Sequence, residues 1–178
     1  MQKRSMSRNK SVMTSAFCGV MAALVFVTTM IIRIPVPATG GYIIVGDLMI
    51  FVSSLLFGPI IGGFAGGVGS ALSDLIGFPS FVFYTLVIKG VEGLVAGKFG
   101  KSGKTWVSIL GVIIAGIAMV AGYFVVEFYL FGLGAAVTEL PGNIFQASFG
   151  AIVAVPLSLA IKKMLPTTFE NLKNLIIG

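Results

Sequence analysis

Residues 48–72 read LMIFVSSLLFGPIIGGFAGGVGSAL, 25 residues without a charge. A membrane-spanning helix needs about 20 apolar residues, so the stretch serves as one tilted span. It also contains Gly58-Pro59. The residue before a proline is pushed out of the helical region, so the same stretch reads as two short spans meeting at that pair. Four further apolar runs, at 11–32, 81–97, 106–132 and 140–161, are unambiguous. The chain therefore has five spans or six, and the reading of 48–72 decides which.

The distribution of charge chooses between them. Cytoplasmic loops collect Lys and Arg. With six spans and the N-terminus inside, Lys3, Arg4, Arg8, Lys10, Lys98, Lys101, Lys104, Lys162, Lys163 and Lys173 all fall inside, which is 10 of the 12 basic residues. Arg33 then lies outside and Lys89 within the membrane. Five spans would put the basic 98–104 turn and the basic tail opposite the basic N-terminus. The sequence thus predicts an all-α integral membrane protein of six transmembrane helices with both termini cytoplasmic. It forms a single membrane domain over 1–178, with helices at about 11–32, 46–60, 62–77, 81–98, 105–131 and 138–163.

Composition agrees with that class. Of 178 residues, 57% are hydrophobic and 10% charged, and the mean hydropathy is +1.06. Soluble domains are about half apolar and a quarter charged. A soluble globule, a disordered tail and a nucleic-acid module are excluded, and the net charge of +6 reads as an orientation signal. The first run is too long for the apolar core of a secretory signal and is followed by Arg33, Pro35 and Pro37, so it is read as a retained helix.

Several chemistries are missing. With no histidine and one cysteine, a His-based metal site, a Ser–His pair and a disulfide framework are excluded, and nothing calls for a cofactor or metal. The stretch from Gly97 to Thr105 looks like a phosphate-binding loop, but the spacing from Gly97 to Gly103 is one residue too long, and it joins two membrane helices. It is a basic turn. Cys18 reads as a small packing residue. The glycines from Gly62 to Gly69 put small residues four apart on one helix face, a surface for close helix packing. The chain has no catalytic apparatus and no energy source of its own.

Ionisable groups inside a membrane are costly and are functional candidates by default. On the six-span reading, Asp47, Asp74, Tyr84, Tyr123, Glu127, Glu139, Asn143 and Gln146 fall in the outer half, with Lys89 near the middle. Glu139, Asn143 and Gln146 share one helix face, as do Tyr123 and Glu127, while Lys89 and Glu92 are three apart and able to pair. Three helices therefore offer polar stripes to one pocket for a small polar molecule. Tyr84, Lys89, Tyr123, Glu127, Glu139, Asn143 and Gln146 are its expected binding residues, with Phe83, Phe128 and Phe145 as further stacking surfaces. The connection from Arg33 to Gly46 is the longest outside loop, and Arg33 and Tyr42 are its candidate gating residues. The tail beyond Pro166 places Phe169, Leu172, Leu175 and Ile176 at helical spacing, suited to the inner membrane surface.

These features together resemble the substrate-binding S components of energy-coupling factor (ECF) vitamin transporters, in their riboflavin-transporter-like branch. The resemblance rests on Gly41 to Asp47, Leu56 to Pro59, Gly66 to Asp74, Ile88 to Gly97, Gly122 to Phe124 and Glu139 to Gln146. It implies a subunit of the bacterial plasma membrane that captures a vitamin from outside. A transmembrane T component and two separate ATPase subunits would then drive release inward. It also implies a T-component docking face on the first helix. The family carries two alanines four apart there; the nearest equivalent here is Ser15, Gly19 and Ala23. The resemblance leaves the substrate open. A pocket of acids, amides and modest aromatics favours a hydroxymethylpyrimidine or pyridoxine-like ring, with riboflavin next. A stand-alone secondary carrier or channel for a small polar solute, and a structural membrane scaffold, are the alternatives.

Overall fold

The computed structural model describes the backbone of residues 2–31, 33–36 and 41–167, and the side chains of 10–31 and 45–167. Among the described residues, six α-helices follow one another: α1 (Gln2–Ile31), α2 (Gly46–Phe57), α3 (Pro59–Gly77), α4 (Val82–Gly100), α5 (Thr105–Phe131) and α6 (Leu133–Met164). All but α2 are long and apolar enough to cross a membrane. Large apolar side chains such as Ile117, Val125, Phe83 and Ile152 stay exposed along their outer faces, which suits a surface solvated by lipid rather than water.

The ambiguous stretch resolves into two helices. Proline disfavours helix in the residue before it and is well placed in the first turn of the next. Gly58 takes a positive φ of 86°, its N–H closes α2 on the Ser54 carbonyl, and α3 starts at once with Pro59. Gly132 repeats the device, also with φ 86°, joining α5 to α6 in one residue.

At 1.5 Å per residue, the 12-residue α2 is only about 18 Å long, against about 40 Å for α5. It is also the most enclosed element: nine of its residues are buried, and it packs against α1, α3, α4 and α6. Phe51, Val52, Leu55 and Leu56 meet Ala96, Val112, Ala115 and Ala154 in the main core. A short helix at the centre of longer ones leaves space beyond its end, and that space is where the site lies.

The glycines of α3 form a packing surface. A Cβ on Gly66 would strike the Lys89 carbonyl, and one on Gly67 the Leu86 carbonyl, so α3 and α4 touch backbone to backbone. The connection before α2 is more ordered than the plain loop expected from sequence. Strands β1 (Arg33–Val36) and β2 (Gly41–Ile44) pair antiparallel, with Arg33 opposite Ile44 and Pro35 opposite Tyr42, and β2 runs beside α6. The tail residues Phe169, Leu172, Leu175 and Ile176 lie outside the described residues.

Candidate functional site

A cavity of about 320 Å³ opens beyond the N-terminus of α2. Its lining comes from the same end of every helix: the end of α1 (Thr29), the start of α2 (Gly46, Asp47), the end of α3 (Asp74), the start of α4 (Thr85), the end of α5 (Phe131) and the start of α6 (Ala135). The up-down order of the bundle brings these together.

Six of the seven binding residues expected from sequence line it: Lys89, Tyr123, Glu127, Glu139, Asn143 and Gln146. Tyr84 does not. It lies on the outside of the bundle with Phe83 and Val87, in a shallow apolar groove between α4 and α5. The reason is helical geometry. Lys89 faces the cavity, so the residue four before it, Thr85, faces it too, and Tyr84 is turned about 100° away. The aromatic walls also differ from expectation. Phe83, Phe128 and Phe145 are exposed on the bundle exterior. Phe78, Phe81 and Phe131 line the cavity instead, with Phe81 stacked on Phe131 at 5.9 Å and 6.4 Å from Tyr123. Phe131 was legible, being four residues beyond Glu127. Phe78 and Phe81 flank a short 3₁₀ turn, Pro79–Phe81, whose direction no helical period gives.

The floor is a buried charge cluster. Lys89 Nζ donates to Asp47 Oδ1 and lies 3.1 Å from Glu92 Oε2. Gln146 Nε2 donates to the same Asp47 oxygen at 2.8 Å. One carboxylate at the start of α2 thus ties α4 to α6. All four side chains are buried, Glu92 completely. Lys89 also sits 5.6 Å from the centre of the Tyr123 ring. Higher up, Asn143 Nδ2 donates to Glu127 Oε1 at 3.3 Å. The Thr85 hydroxyl lies 3.0 Å from the Tyr123 hydroxyl and donates to Asp74. Asp47 and Asp74 are therefore part of the wall. Among the described side chains, one cation, Lys89, faces four acids: Asp47, Asp74, Glu127 and Glu139.

The two candidate gating residues, Arg33 and Tyr42, sit in β1 and β2; their side chains lie outside the described residues. Ser15, Gly19 and Ala23 are exposed along one face of α1, and a Cβ on Gly19 would meet nothing within 4 Å. Cys18, beside them, is buried in the bundle.

Helices apolar on the outside, with a polar chamber at one end of the bundle, define a multi-pass membrane protein of the small-molecule-handling kind. The chain belongs to the ECF-type riboflavin transporter S component family, whose model matches residues 9–163. It is 49% identical over 147 residues to an uncharacterised protein of Pyrococcus woesei, covering 82% of this chain and 99% of that protein. It is 31% identical over 157 residues to the thiamine precursor transporter HmpT of Lactococcus lactis, covering 87% and 91% respectively.

Proposed function

We propose that this chain is the substrate-binding subunit of an ATP-driven importer, and that the cavity beyond α2 captures a small vitamin or vitamin precursor from outside the cell. The observation that carries this reading is the cavity itself: a chamber of about 320 Å³, walled by phenylalanines and lined by carboxylates and amides. Ligand pockets run from about 300 to 1,000 Å³, so this one takes a single small ring more readily than a three-ring flavin with its sugar chain. Among the described side chains, four acids against one lysine disfavour a multiply anionic ligand and favour a neutral or weakly basic heteroaromatic. A hydroxymethylpyrimidine or a pyridoxine-like ring is preferred, with riboflavin next, and the relative named as a thiamine precursor transporter supports that order.

Family membership supports the remaining parts. A T component docks against the α1 face of Ser15, Gly19 and Ala23, and two ATPase subunits supply the energy. The chain's role is binding and delivery, not chemistry. The contact of β2 with α6 supports a hairpin that covers the cavity, with Arg33 and Tyr42 as its gating residues.

Native mass spectrometry of the protein purified in detergent is expected to find one small heteroaromatic retained. Glu127→Ala, Asn143→Ala and Gln146→Ala are each expected to weaken its binding by roughly tenfold or more, the size of a hydrogen bond to a charged group. Unchanged affinity in all three would remove the pocket assignment. Solute uptake by the chain alone in liposomes would favour the stand-alone carrier instead.

A further inference from the structure

The cavity has a hydrogen-bond polarity. Several of its described donors are turned onto the protein's own acceptors. Lys89 is held by Asp47, by Glu92 and by the face of Tyr123. Gln146 and Asn143 each spend one of their two amide N–H groups on a carboxylate, and Thr85 spends its hydroxyl hydrogen on Asp74. Two acceptors among the described residues are left with no partner at all. Asp47 Oδ2 and Glu127 Oε2 are both buried and have no hydrogen-bond partner among the described residues. Asp47 is 1% exposed and Glu127 7%, and both side chains line the cavity.

A buried carboxylate oxygen without a donor is costly, and more so in a low-dielectric surround. A ligand bearing N–H groups relieves that cost. A ligand presenting a carbonyl or another anion to the same oxygens adds repulsion between lone pairs. The asymmetry is the one that lets a site built to bond a particular polar group reject its near-isostere strongly. The aromatic walls at Phe81, Tyr123 and Phe131 give such a ligand a cluster of ring surface to pack against.

We propose that the cavity selects its ligand by hydrogen-bond donors: an amino-substituted heteroaromatic ring whose N–H groups are taken by Glu127 Oε2 and Asp47 Oδ2, with the oxo-substituted ring rejected. This rests on the cavity being the ligand site, and it makes the choice among small rings that volume leaves open.

Titration calorimetry on the full chain in detergent tests it with four probes: the amino-pyrimidine alcohol, its oxo counterpart in which a carbonyl replaces the amine, pyridoxine, and riboflavin. The amino form is expected to bind, with the oxo form weaker by roughly 10- to 100-fold. Glu127→Gln, which turns an acceptor into a donor, is expected to weaken the amino form about tenfold and to narrow the gap to the oxo form. A merely structural role for Glu127 would weaken both forms alike. Glu127→Asp keeps the charge at shorter reach and is expected to retain the amino preference. Equal binding of the amino and oxo forms, or preference for pyridoxine or riboflavin over the amino form, overturns the donor rule while leaving the cavity as the site. Binding of none of the four overturns the site reading together with the rule.

Discussion

Lys89 holds two buried carboxylates. It is 4% exposed, Asp47 1% and Glu92 0%. Removing one partner from a buried ion cluster leaves charge without compensation and costs about 3–5 kcal/mol. Lys89→Met, which keeps most of the volume, is expected to lower the melting temperature in detergent sharply. Adding Asp47→Asn and Glu92→Gln removes the stranded charges and is expected to recover most of the loss. A triple variant no more stable than the single one would show that packing, not charge, is what Lys89 provides. The pairing of Lys89 with Glu92 was legible because the two are three apart on one helix. The part played by Asp47 was not. It lies 42 residues before Lys89, and its burial follows from α6 packing close at Gly150 and from the shortness of α2, neither of which a local pattern shows. Tyr84 failed for the opposite reason. It lies beside Thr85 at the cavity end of α4, but one residue of helical phase separates the two and turns it outward.

Among elements, the tightest pairing is α3 against α4. A Cβ on Gly93 would run into the Gly62 carbonyl and come within 2.8 Å of the Gly63 nitrogen. Those are backbone atoms, so relief requires the helices to separate. Overpacking of this kind costs about 1–3 kcal/mol, and Gly93→Ala is expected to lower the melting temperature accordingly. Gly90 is the internal control, one turn earlier on the same helix. A Cβ there has its nearest neighbours at 3.7 Å and 3.9 Å, ordinary contact. Gly90→Ala is expected to be neutral or slightly stabilising, since alanine is the better helix former. If the two variants melt alike, close backbone approach is not what fixes this interface. The spacing of Gly62, Gly63, Gly66 and Gly67 announced such a face. The two-stranded hairpin was not announced. Its strands are four residues each, with Pro35 and Pro37 in or beside the first, and proline is tolerated only at a sheet edge. Such a short strand becomes regular through its partner and its place beside α6, both non-local.

Over the whole molecule, charge is sorted along the bundle axis. The cavity and four of the acids lie at the end where α1, α3 and α5 finish. Lys98, Lys101 and Lys104 lie at the opposite end, where α4 gives way to α5, and Lys162 and Lys163 lie there too, in the last turn of α6. The sequence carried this polarity in its charge positions, whereas the chamber itself depends on a central helix too short to fill the bundle. The rule that basic residues stay inside turns the polarity into an expected orientation, with the cavity facing out. Cysteine labelling tests that directly, because the native Cys18 is buried and contributes little background. Ser80, in the turn between α3 and α4, is exposed at the cavity end, and Ser102 is exposed in the basic turn. A membrane-impermeant maleimide is expected to label Ser80→Cys in intact cells, and to label Ser102→Cys only after permeabilisation. The reverse pattern would put the cavity on the cytoplasmic side, where capture from outside is impossible and the same fold would have to work in export.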